Sequence, residues 1–131
     1  MSSMSFTPSI LRQTSNPNVS YSYQTGKYTK VGNMVLVYFD LNITSISGGS
    51  GRYEIHGLPF SSSTDTASGG YGSPQFRNST AFGSVTAQEN PSSYHSGTTI
   101  NLRYHSNAST ESDISVTTGR ITGWSMYFTN S

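Results

Sequence analysis

The segment Met34–Ile43 limits what this chain can fold into more than any other part of it. Val35, Val37, Phe39, Leu41 and Ile43 recur with period two, which puts all five on one face of an extended strand. Such an unbroken apolar row has to face a core. The other side reads Met34, Leu36, Tyr38 and then Asp40 and Asn42, so it is apolar for half its length and polar after that. A strand apolar on both sides at one end is covered by a loop or by another subunit. A neighbouring subunit is the expected cover.

Weaker alternation marks further strands. Val19, Tyr21 and Tyr23 are predicted to share one face, and Lys30-Val31-Gly32-Asn33 to turn the chain into the strong strand, with Gly32 and Asn33 suited to positive φ. After the Ser45–Gly51 loop, Arg52–His56 is expected to point Tyr53 and Ile55 inward and Arg52, Glu54 and His56 outward. Residues 61–80 read as one long polar loop. Strands are predicted at Phe82–Ala87, Thr98–His105 and Asp113–Thr118, with Val85, Ala87, Ile100, Leu102, Tyr104, Ile114 and Val116 inward. In the last strand, Ile121–Thr129, the expected buried side is Trp124, Met126 and Phe128. No helix-forming window interrupts the series, and 13 glycines and 5 prolines punctuate it. The expected fold is all-β: an antiparallel, jelly-roll-like β-sandwich over residues 19–131, assembled as a homotrimer, behind a flexible N-terminal arm at 1–18.

Composition removes several function classes. With 10% charged residues and a formal net charge of +1, the chain has no field to attract nucleic acid or an acidic membrane. The absence of cysteine excludes disulfides, zinc ribbons and thiol catalysis. No run approaches the ~18 apolar residues of a membrane span, so no membrane insertion is expected. The N-terminus lacks the basic and apolar regions of a secretory signal, which suggests release by lysis or an excised fragment. About a third of the residues are Ser or Thr, and aromatics are frequent, a composition that suits a virion or extracellular surface.

Two short motifs carry a family resemblance. Tyr28-Thr29-Lys30-Val31-Gly32-Asn33, followed by a valine-rich strand and then Gly57-Leu58-Pro59-Phe60, resembles a pattern in the C-terminal domains of bacteriophage tail fibres and tailspikes. The resemblance covers residues 19–60 and continues afterwards only in style. It implies a β-sandwich that trimerises at the distal end of a fibre and is likened to carbohydrate-binding modules. The motif residues themselves look structural, a hairpin turn and a strand exit. The fibrous shaft or catalytic β-helix that accompanies such domains has no counterpart here.

Sugars are bound by flat aromatic faces, with polar side chains reading the hydroxyls. That places the candidate ligand-binding residues at Tyr71, in a Gly-Gly-Tyr-Gly setting, at Tyr94 and His95, and at Arg77 for an anionic sugar. Arg52, Glu54 and His56 could suggest acid–base chemistry, but alternating charges on a strand face read as cross-strand ion pairs. Glu111 and Asp113, the closest pair of acids, fit a turn cap or a weak calcium site. No catalytic or nucleotide-binding motif is present, so no enzyme activity and no cofactor are expected. The sequence therefore reads as a fibre-tip module for host surface polysaccharide, partnered by its own copies and by other tail or fibre proteins. A capsid or tail decoration protein, or a trimerisation and folding domain without a ligand, is the alternative. A hydrolase on a jelly-roll scaffold ranks third.

Overall fold

A computed structural model describes residues 4–63, 74–83, 94–105 and 111–130, except for the side chains of residues 94, 96, 104, 105 and 111. Within them there are eleven strands and no helix, and every strand pairing is antiparallel. In chain order these are β1 (Met4–Phe6), β2 (Ser9–Arg12), β3 (Asn18–Val31), β4 (Met34–Ser47), β5 (Tyr53–His56), β6 (Gln75–Asn78), β7 (Tyr94–Ser96), β8 (Thr99–Asn101), β9 (Arg103–His105), β10 (Glu111–Asp113) and β11 (Gly119–Phe128). One sheet runs β1-β3-β4-β11-β6 and another β2-β5-β8-β7, while β9 and β10 form a ribbon. A single apolar cluster joins Val35, Val37, Phe39, Leu41, Ile43 and Ile121 of the first sheet to Ile10, Ile55 and Ile100 of the second. The all-β, sandwich-like architecture is as expected.

The β3–β4 hairpin is the spine. It closes through the two residues Gly32 and Asn33, with Gly32 at φ 58° and Asn33 on the ordinary negative side, so only the glycine takes positive φ. The inward row of β4 is buried along its whole length, as its alternation requires. The two motifs of the resemblance meet across the fold. The Tyr28 and Phe60 rings pack edge to face with centroids 5.5 Å apart, and Lys30 Nζ lies 5.4 Å from the Phe60 centroid. Gly57, at φ 96°, lies so close to the Thr7 carbonyl that a side chain would strike it.

Five expectations are corrected. Residues 4–12 are not an arm: β1 pairs with β3, β2 pairs with β5, and Ile10 belongs to the core. Tyr23 does not share a face with Tyr21. Tyr21 pairs with Ile43 and Tyr23 with the adjacent Asn42, so Ser22 is an extra residue that turns Tyr23 to the other side. The long loop contains β6, an edge strand whose Phe76 packs on Phe39 and Phe82. Thr98–His105 breaks at Leu102, where the chain leaves the β5 sheet for the β9–β10 ribbon.

The fifth correction concerns β11, whose phase is the reverse of the expected one. Ile121, Gly123, Ser125, Tyr127 and Thr129 are buried, while Trp124, Met126 and Phe128 face out. Pairing with β4 sets Ile121 against Leu41 and Tyr127 against Val35, both on the core side. Tyr127 is accommodated because its hydroxyl donates to the Phe60 carbonyl at 2.7 Å. Of the strand expected at Phe82–Ala87, Phe82 bridges Val116; Val85 and Ala87 lie outside the described residues.

Candidate functional site

The outer face of the five-stranded sheet concentrates the exposed aromatics. Six of the seven exposed large hydrophobic residues among those described stand there: Tyr23, Val31, Tyr38, Trp124, Met126 and Phe128. Cross-strand pairing arranges this face in rows. Val31–Met34–Phe128 and Thr29–Leu36–Met126 make an apolar end, and Lys27–Tyr38–Trp124–Gln75 follows. Thr25–Asp40–Thr122–Asn78 and Tyr23–Asn42–Arg120 make a polar end.

Where the apolar and polar ends meet there is a hollow of about 210 Å³. Tyr23 and Tyr38 line it together with Thr25, Lys27, Asp40 and Thr122, and Phe39 and Gly123 supply its floor. The two tyrosines are 50% and 51% exposed, so each keeps a ring surface available to a ligand. They sit on neighbouring strands and four residues apart in register, about 14 Å along the strand direction at ~3.4 Å per residue. Pockets that enclose a drug-sized ligand measure roughly 300–1,000 Å³. This hollow is smaller than that and open to solvent.

Its polar groups are held in place. Arg120 donates from Nε to Asp40 Oδ1 at 2.9 Å and from a terminal nitrogen to Oδ2 at 2.6 Å, and the Thr122 hydroxyl donates to Oδ1 at 3.1 Å. The guanidinium beside Asp40 holds its carboxyl below the usual carboxylate range. The Arg120 guanidinium also lies 5.4 Å from the Tyr23 ring centroid, which fixes that ring from one side. Lys27 Nζ donates to the Ser5 hydroxyl at 3.0 Å.

The residues singled out from sequence fall elsewhere. Tyr71 lies outside the described residues, and of Tyr94 only the backbone is described, paired with Asn101 at the start of β7. Arg77 is exposed on β6, next to the outer face. His95 is not a surface ligand. It is 0% exposed, stacked on Tyr127 at 4.4 Å between centroids, with Nε2 2.6 Å from Ser125 Oγ. Glu54 is buried between Arg52 at 3.4 Å, an ion pair, and His56 at 2.7 Å, a hydrogen bond, so its partners lie along the chain rather than across strands. Asp113 pairs with Arg103 at 3.3 Å.

Sequence reasoning missed Tyr23, Thr25, Lys27 and Thr122 as site residues. Tyr38 and Asp40 are legible as part of the outward row of the strongest strand, but the sequence reading gives the apolar end of that row, Tyr38 included, to a subunit contact. Comparison of the chain with protein-family models, with curated proteins and with solved structures finds no match.

Proposed function

We propose that this protein is a glycan-recognition module acting at a bacteriophage fibre tip, with its sugar site on the outer sheet face between Tyr23 and Tyr38. One observation carries the site: two half-exposed tyrosine rings flank a hollow whose threonine hydroxyls and tethered Asp40–Arg120 pair can meet sugar hydroxyls. Rings supply apolar contact to sugar C–H groups, and fixed polar groups supply orientation. A sheet surface holds both with little ordering cost on binding. The fibre-tip assignment rests on the Tyr28–Asn33 and Gly57–Phe60 motifs and places the protein in the virion, released by lysis.

Replacing both rings tests the site. Each stacking contact is worth roughly 0.5–1.5 kcal/mol, so Tyr23→Ala combined with Tyr38→Ala should weaken binding to an array of bacterial surface polysaccharides at least about fivefold. The melting temperature should hold, because both rings are half in solvent. Unchanged binding by the double variant would refute this site.

A shallow site of this kind binds weakly by itself, and linked copies raise the effective concentration. In this reading the apolar rows Val31–Met34–Phe128 and Thr29–Leu36–Met126 pack against neighbouring copies in a jelly-roll-like homotrimer. Those rows lie beyond the hollow and leave it open. Light scattering should give three times the 14.1 kDa chain mass, and Leu36→Lys should shift the mass to that of the monomer with strand content kept. A monomeric wild type at micromolar concentration would rule out the trimer. If the trimer is present and the wild type binds no member of the array, the protein is a trimerisation or decoration domain without a ligand.

A further inference from the structure

We propose that the saccharide taken by this face is acidic, a uronate- or sialate-bearing chain whose carboxylates meet Lys27 and Arg77. This rests on the glycan-binding reading above and deepens it. The whole chain carries a formal +1, yet among the described residues this face and its β6 edge hold three cations, Lys27, Arg120 and the exposed Arg77, against the single carboxylate of Asp40, a local +2. The cations are not equivalent. Arg120 is engaged by Asp40 through both oxygens, so its charge is already matched. Lys27 has only the neutral Ser5 hydroxyl, and no carboxylate among the described residues pairs with it. Arg77 follows the inward-facing Phe76 at the β6 bulge and stands exposed with no partner among the described residues.

Position makes the two unmatched charges useful. Lys27 is the cross-strand neighbour of Tyr38 and lines the hollow on the β3 side. Arg77 stands beyond Thr122 on the β6 side. Three strand spacings of ~4.8 Å separate β3 from β6, about 14 Å. The tyrosines therefore bracket the hollow along the strands, and the cations bracket it across them. A chain of rings carrying carboxylates at intervals satisfies both, whereas a neutral polysaccharide leaves both cations without a carboxylate. Single-stranded nucleic acid is the other anionic polymer that stacks on aromatic rings. It calls for a basic groove tracking a continuous backbone, not two cations at opposite margins.

The test uses an array that presents uronate- and sialate-bearing oligosaccharides beside their methyl esters, which keep the rings and remove the charge, with a thymidine oligonucleotide as a further probe. Acidic forms should bind more tightly than their esters, and the difference should shrink as ionic strength rises. Lys27→Gln and Arg77→Gln should each weaken binding of the acidic forms by up to about fivefold, the scale of an exposed ion pair. In either variant binding of the esters should fall by less than binding of the acidic forms, and the melting temperature should hold. Esters bound as tightly as acids would overturn the acidic preference and leave the glycan site standing. No array member bound by the folded protein would overturn both. Oligonucleotide bound more tightly than every acidic glycan would show a nucleic-acid face instead.

Discussion

Lowering the pH from 7 to 4 should destabilise the fold by about 3 kcal/mol, through His95 alone. Burial drives the His95 pKa from its ordinary 6.5 down to about 4. Its ring lies against Tyr127 and its Nε2 is shared with the Ser125 hydroxyl, while Nδ1 is buried with no partner among the described residues to receive a proton's charge. Below pH 6.5 the unfolded chain takes up a proton at this residue, and the folded chain does not until about pH 4. Stability is therefore full above 6.5, falls across 6.5 to 4, and levels off below that as far as this residue is concerned. A domain of this size has some 5–15 kcal/mol in total, so the loss is a large share. Asp40 adds a smaller loss at still lower pH, because its depressed carboxyl must be protonated away from Arg120. Urea titrations at pH 7, 6, 5 and 4 measure the slope. His95→Phe combined with Ser125→Ala keeps the stack, leaves no orphaned hydroxyl and should flatten the profile between 6.5 and 4. A wild-type midpoint that is constant over that range would contradict the buried neutral histidine.

The second large effect lies in the other sheet, in the ranking of two aromatic residues of β11 that are three positions apart. Tyr127→Ala should cost about 3–5 kcal/mol, the range for emptying a large aromatic site in a core. Tyr127 is fully buried, its phenol is pushed up to about 12 by that burial, and its truncation also removes the donor to the Phe60 carbonyl. Trp124→Ala should cost less than about 1 kcal/mol, because the indole is 45% exposed and stands on the outer face. Denaturant melts of the two variants give the ranking directly. Since Trp124 is the chain's single tryptophan, quenching of its fluorescence by acrylamide in the native protein offers an independent reading. A protected tryptophan, or a Trp124 variant less stable than the Tyr127 one, would restore the phase that the sequence suggests, with Trp124 inward.

That reversal shows where local reading ends. In β4 the five inward positions are all aliphatic or aromatic and the outward ones turn polar, so one face outweighs the other without any knowledge of partners. In β11 both faces carry large apolar groups. Trp124, Met126 and Phe128 look more hydrophobic than Gly123, Ser125 and Tyr127, yet it is the second set that is buried. Gly123 and Ser125 are small because other groups occupy the space beneath them. A side chain at Gly123 would meet the Phe39 ring and the Gln75 carbonyl, and the Ser125 hydroxyl meets His95. Smallness that makes room for a distant residue looks, from the sequence, like polarity that seeks water.

The candidate site was hidden for a related reason. Tyr23 reaches the outer face only through the bulge at Ser22, and Lys27, Asp40 and Thr122 become neighbours only when β3, β4 and β11 pair in register. Ile10 and Phe76 lie in Ser- and Thr-rich stretches that read as an arm and a loop, and they become strands because a sheet edge accepts them. Alternation, turn residues and the scarcity of charge are properties of neighbouring residues along the chain, and they are enough to dictate an all-β, antiparallel fold with β4 at its centre. Which face of β11 is wet, which edges are filled and which side chains surround the hollow were decided only by tertiary pairing, because a strand alternates in the same way whichever side it buries and only its partner's register chooses between them.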